Sequence, residues 1–291
     1  MGSGNSTPVT VEKKPELLEK PWRNIVWDHS TKVNLKQYLH DYKPTIDSVP
    51  QVRILLIGQI TAGKSSFFNS INSVFRGNIT SQAGAGEMTT SLTLKYRTYK
   101  VKAGRGGQPL AFLLCDTMGL EKTANGGVNP DDIENILKGY IPDGYQFNPS
   151  QPKTTEDRQH CSTQTLADRI HCVVYVMDSS SPGLLDKDMK TKVDQIRKDC
   201  RLQDVPLVVL LTKVDKACPH VEKDLKNVYR SYYIRDLIKK ASGCLGIAES
   251  NVLPVQNYSS ENELNDACDI LLLTAMKQML NFADNYLDNF D

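Results

Sequence analysis

The chain has 291 residues, 40% of them apolar and 24% charged, which is the composition of an ordinary globular protein. A formal net charge of +1 gives no bulk attraction for nucleic acid or an anionic membrane, so no nucleic-acid partner is expected. Seven cysteines scattered singly, without a C-x-x-C pair, argue against a disulfide framework and for a reducing compartment.

Residues 1–20 are polar and punctuated by proline, and read as a linker or leader. Met1-Gly2-Ser3-Gly4-Asn5-Ser6 fits the myristoylation pattern, although a Gly/Ser leader introduced on expression is the preferred reading. The first 20 residues lack an apolar h-region, and no apolar run reaches the length of about 18 that spans a bilayer. No secretory signal or transmembrane segment is therefore expected. Residues 21–50 carry Trp22 and Trp27, then Leu35, Tyr38, Leu39 and Tyr42 at helical spacing before Pro44. They are predicted to form a short helical brace against the main domain.

From residue 51 to 291 the pattern alternates strand, loop and helix. The runs VRILLI (52–57), LAFLLC (110–115), CVVYVM (172–177) and VPLVVLL (205–211) are short and continuous, as expected of strands buried on both faces. Helical patterns fall at 64–75, 185–200 and 220–240. A strand at 251–255 precedes a long terminal helix that opens with Ser260-x-x-Glu263, a capping-box spacing. Leu264, Ala267, Leu271, Met276 and Leu280 lie near one face of it. This order predicts an α/β domain with a mostly parallel central sheet and helices on both faces. The segment 91–101 alternates basic and apolar residues into a Gly-rich turn, predicting an antiparallel hairpin at the sheet edge. Lys95, Arg97, Lys100, Lys102 and Arg105 there are read first as edge protection and second as an anion-binding surface.

Three motifs carry chemistry, in order. Gly58-Gln59-Ile60-Thr61-Ala62-Gly63-Lys64-Ser65, followed by Ser66, fits G-x-x-x-x-G-K-[ST] between an apolar strand and a helix. Its glycines allow consecutive N–H groups to face phosphate oxygens, Lys64 reaches the outer phosphates, and the Ser65 hydroxyl ligates Mg²⁺. Asp116-x-x-Gly119 ends the next buried strand, where the carboxylate can hold Mg²⁺ through water and the glycine N–H can meet a γ-phosphate. Thr212-Lys213-Val214-Asp215 closes the fourth. The Asp215 carboxylate can accept from the ring N–H and amino group of guanine, a donor pair that adenine lacks on that edge. Lys213 can lay its stem along the base.

Two weaker elements complete the set. Thr89 and Thr90 end a Gly-rich segment (81–91), and either would add a Mg²⁺ ligand when a γ-phosphate is present. Gln256-Asn257-Tyr258-Ser259 lies where a backbone N–H would meet the guanine oxygen. GTP or GDP with Mg²⁺ is the expected cofactor. His160-Cys161 and His171-Cys172 lack zinc-type spacing and are read as incidental.

The ordered motifs resemble the P-loop GTPase fold. The phrases PWRNIVW, DYKP, RILLIGQITAGKSSFFNS, AGAGEMTTSLT and VLPVQNYSSE make the chain similar, over about residues 20 to 290, to the C-terminal G domain of the interferon-induced protein 44 and 44-like family. The resemblance implies a cytoplasmic, interferon-inducible protein of innate immunity that binds GTP. It also implies a preceding TLDc-type domain, which is not present in this sequence.

Two positions depart from the pattern of the best-studied hydrolases. Leu120 stands where a water-orienting glutamine is usual, and an apolar side chain cannot orient water. Ile60 stands where small G proteins have glycine, and its branched side chain would obstruct an arginine supplied by a partner. Slow hydrolysis is expected, with no catalytic residue identified beyond the switch candidates Thr89 and Thr90. The region from about 120 to 169 reads as a long insertion, open to either nucleotide-dependent rearrangement or a static covering role. Three functions stay open: a slow switch, a GTPase activated by homodimerisation through the G domain, and a scaffold without nucleotide chemistry. No physiological protein partner is legible.

Overall fold

The computed structural model describes residues 17–84, 95–121, 126–148, 164–181 and 187–290. The continuous apolar runs become strands β1 (Val52–Gly58), β3 (Pro109–Asp116), β4 (Cys172–Asp178) and β5 (Leu207–Thr212), nearly all buried. The basic segment supplies β2 (Arg97–Lys102), and β6 (Val252–Pro254) is short. They form one sheet in the order β2-β3-β1-β4-β5-β6. Every neighbouring pair is parallel except β2 with β3, which is antiparallel. Around the sheet lie α1 (His29–Asp41), α2 (Lys64–Arg76), α3 (Pro130–Leu137), α4 (Lys187–Leu202), the short α5 (Val214–Ala217) and α6 (Pro219–Lys223), α7 (Tyr232–Leu245) and α8 (Asp266–Leu287).

The edge strand β2 is shielded along its first half. Tyr96 N–H donates to the Tyr145 carbonyl at 2.8 Å, Gly144 N–H returns to the Tyr96 carbonyl at 2.8 Å, and Thr98 N–H reaches the Asp143 carboxylate at 2.6 Å. Backbone groups that would otherwise template another strand are thus occupied. Lys100 and Lys102, further along, stay exposed.

Helix boundaries differ from the sequence pattern wherever a capping side chain decides them. The Asp28 carboxylate accepts from Thr31 N–H at 2.7 Å, so α1 begins at His29, a turn before the apolar spacing does. The helical pattern at 220–240 is broken into α6, a 3₁₀ turn (Leu225–Tyr229) and α7. Asp224 caps that turn through Lys226 N–H, and Ser231 caps α7 through Ile234 N–H. At the terminal helix the expected Ser260/Glu263 box does not form. Asn265 caps α8 by accepting from Ala267 and Cys268 N–H, while Glu261 binds the N–H groups of Ser259 and Ser260.

The N-terminal segment docks on two places. Trp22 stacks edge-on against Tyr229 with centroids 5.0 Å apart, and Arg23 donates to the carbonyls of Val252 and Glu249. Helix α1 packs along α8, burying Leu39 and joining Tyr42 to Asp284 by a 2.5 Å hydrogen bond. Among the described residues no helix is long and apolar enough to cross a membrane, and the six described cysteines are free thiols.

Candidate functional site

The loop from β1 to α2 is shaped by positive φ values at Gly58 (+151°), Thr61 (+61°) and Gly63 (+97°). Gly58 is required sterically as well, because a Cβ there would lie 2.2 Å from the Val176 carbonyl oxygen of the neighbouring strand. The 13-residue α2 starts at Lys64 without a side-chain cap. Its first N–H groups and positive dipole end therefore face the hollow of the loop, an arrangement suited to an anion. Lys64 is buried and donates to the carbonyls of Gly58 (3.1 Å) and Gln59 (3.0 Å). Burial lowers its pKa, and the negative charge of Asp116 opposes that shift.

Asp116, at the end of β3, accepts from the Ser65 hydroxyl at 2.6 Å. The serine predicted to ligate a metal and the aspartate predicted to hold one through water thus converge on one point. Both contribute hard oxygen, the donor type that Mg²⁺ prefers. Thr89 and Thr90 lie outside the described residues.

The turn after Asp116 continues the pairing of β3 with β1. Leu120 N–H donates to the Gly58 carbonyl at 2.9 Å, and Leu120 bridges Gln59 on one side and Gly127 on the other. The Leu120 side chain is 1% exposed and belongs to the hydrophobic core. Position 120 is therefore a core position, which the sequence comparison with glutamine-bearing hydrolases does not reveal. Gly119 packs against the phosphate loop, where a Cβ would stand 2.6 Å from Ile60 Cγ1 and 2.9 Å from Ile60 N. On the far side, Lys192 of α4 donates to the carbonyls of Glu121 (2.8 Å) and Gly126 (3.0 Å).

The base-side segments are bonded directly to the phosphate loop. The buried Thr212 hydroxyl lies 2.7 Å from the Ala62 carbonyl, and the Asn257 amide donates to the Gly63 carbonyl at 3.1 Å. Lys213 adopts a left-handed conformation (φ +57°) and pairs with Asp178 at 2.6 Å. Burial alone would raise the Asp178 carboxyl, but Lys213 and the two bonds from Ser180 bring it below the usual range. Asp215 is half-buried and its carboxyl is pushed up by burial, against the pull of its own and Lys216 N–H groups. Such a group gains most from a ligand that donates to it.

Residues 58–66, 116, 119, 212, 213, 215 and 257 thus gather at the C-terminal ends of β1, β3, β5 and β6. Sequence reasoning missed Asp178, whose only signal is its place at the end of an apolar strand in register with Thr212. It also missed Lys192, for which α4 offers no local signal. Among the described residues no group of three or more His, Cys, Asp or Glu could hold a metal. His171 lies in the core instead, accepting from Arg53 N–H at 2.9 Å.

The family model described as 50S ribosome-binding GTPase matches residues 53–213. Interferon-induced protein 44-like of Homo sapiens is 44% identical over 251 residues, covering 86% of this chain and 56% of that protein. Interferon-induced protein 44 of Mus musculus is 40% identical over 275 residues, covering 94% of this chain and 64% of that protein. The chain therefore spans about three-fifths of the length of these relatives. Among solved structures, Aquifex aeolicus Era bound to GDP·AlF₄⁻ aligns at 15% identity with a TM-score of 0.38, covering 79% of this chain and 56% of that one.

Proposed function

Since this chain belongs to the GTPase family matched at 53–213 and to the interferon-induced protein 44 family, we propose that it is a guanine-nucleotide-binding protein of the interferon response, acting as a slow GTPase or nucleotide-dependent switch. One observation carries the proposal. The phosphate loop is bonded through Ala62 to Thr212 and through Gly63 to Asn257, so the phosphate-side and base-side motifs are held directly beside one another. A nucleoside phosphate is the ligand class that would engage both motifs at once.

The chemistry of these residues suits the whole ligand. Lys64 and the uncapped start of α2 would hold the phosphates, and Asp215 would select guanine. Ser65 and Asp116 would hold Mg²⁺, which supplies charge neutralisation between the outer phosphates when bound. Slow turnover follows from two features of this chain. The Leu120 side chain is committed to the core and cannot orient water, and the branched Ile60 packs against Gly119, where it would obstruct an arginine supplied by a partner. Innate antiviral defence and a cytoplasmic location belong to the same proposal; the relatives' names support its interferon-induced part.

Calorimetric titration with GTP, GDP and ATP in the presence of Mg²⁺ tests the reading. GTP and GDP are expected to bind, ATP to bind at least tenfold more weakly, and Lys64→Ala to abolish binding. Failure of all three nucleotides to bind wild-type protein would sink it. Specific GTPase activity should be low and independent of protein concentration, whereas a steep rise with concentration would favour a GTPase activated by self-assembly.

A further inference from the structure

The turn at 256–259 follows a three-residue strand and has no regular structure to fix it. It is nevertheless anchored on several sides. Tyr258 N–H donates to Ser70 Oγ of α2 at 2.9 Å, and the Tyr258 hydroxyl donates to Asp269 Oδ1 of α8 at 2.6 Å. Asn265 N–H donates back to the same hydroxyl at 2.7 Å. The Asp269 side chain is fully buried, and its other oxygen lies 2.7 Å from Lys32 Nζ of α1. That ammonium also pairs with Asp266 at 2.8 Å. A buried carboxylate held on one side by a lysine and on the other by a phenol has little freedom, and removing either partner leaves it under-compensated.

This chain of contacts runs from α1, which precedes the matched GTPase region, to the turn beside the guanine subsite. We propose that Lys32 and Tyr258 are positioning residues that fix the 256–259 turn through Asp269, so that α1 sets the base selectivity of the nucleotide site. The inference rests on the guanine-nucleotide reading above. An N–H of this turn donates to the guanine oxygen, where adenine carries an amino group, so a turn held in place discriminates between the two bases. A turn released from Asp269 keeps its phosphate-side neighbours but loses its hold on that oxygen.

The test uses the full chain carrying Tyr258→Phe, Lys32→Gln or Lys32→Arg, with thermal melting to confirm folding and fluorescence titration of GDP and ADP. Tyr258→Phe and Lys32→Gln are expected to weaken GDP binding by about five- to tenfold and leave ADP binding unchanged, lowering the GDP:ADP preference by that factor. Lys32→Arg, which keeps the ion pair, retains the wild-type preference. A wild-type protein without preference for guanine overturns the functional reading and this inference together. If wild type prefers guanine and folded Lys32→Gln or Tyr258→Phe keeps the same ratio, the inference alone falls. It falls equally if Lys32→Arg loses the preference. A purely structural role would lower the melting temperature and scale both nucleotides alike.

Discussion

The backbone N–H of Leu120 donates to the carbonyl of Gly58 at 2.9 Å, extending the β1–β3 pairing past both strands. That bond turns the Leu120 side chain into the core, where it is 1% exposed. The phosphate loop and the turn that follows Asp116 are therefore one stitched unit.

Leu120→Gln is expected to destabilise the protein without restoring hydrolysis. Burying an amide in place of a leucine should lower stability by about 2–4 kcal/mol, read as a fall in the urea midpoint. Single-turnover GTP hydrolysis should not rise. A tenfold faster rate with unchanged stability would show that position 120 faces the phosphates after all.

Gly119→Ala places a methyl group 2.6 Å from Ile60 Cγ1 and 2.9 Å from Ile60 N. The side chain can rotate, but the backbone atom cannot, so the turn must move away from the phosphate loop. GTP affinity should drop by at least about tenfold, with a smaller effect on GDP, if the displaced N–H is the one that meets the γ-phosphate, as proposed. Equal weakening of both nucleotides would contradict this placement.

Asp215→Asn replaces an acceptor pair with one acceptor and one donor. Guanine loses one hydrogen bond and meets a like donor, while xanthine, with a carbonyl in place of the amino group, gains a partner. Competition titrations should show GDP weakened by about a hundredfold and XDP strengthened, the cost of losing a hydrogen bond to a charged carboxylate and opposing two donors being roughly 2–3 kcal/mol. Retained GDP preference would mean that Asp215 does not contact the base.

His171 gives the fold a pH dependence. Burial lowers its pKa to about 4, Arg53 and Arg169 push the same way, and the hydrogen bond to the Leu166 carbonyl opposes them. A depressed folded-state value means that the unfolded chain binds the proton more readily. The stability is thus fully present above the ordinary value of 6.5 and is lost as pH falls from there towards about 4. The loss should approach about 3 kcal/mol. Urea unfolding of wild type and His171→Asn across this window should show a steeper decline in the wild type. Parallel curves would remove His171 as the cause.

What was legible in the sequence is what local chemistry decides. Val52–Gly58, Cys172–Asp178 and Leu207–Thr212 are strands because each run is almost wholly apolar, and burial on both faces suits such a run. The glycines, Lys64 and Ser65 announce a phosphate loop because their spacing specifies backbone shape directly. Asp116 and Thr212 could be placed because each ends a legible strand, and Asp215 because it follows Thr212 by three residues. The tertiary structure decided what depends on residues distant in the chain. Leu120 is a core residue because of Gly58, more than sixty positions earlier, and no local pattern around Leu120 records that bond. Helix α8 starts at Asp266 because the Asn265 side chain caps it by accepting from two N–H groups while Glu261 is drawn to the preceding turn. Lys32 reads in sequence as one more surface charge on a helix. Only the packing of α1 on α8 brings it to the buried Asp269, where leaving a lone carboxylate out of water would cost more than ordering the lysine.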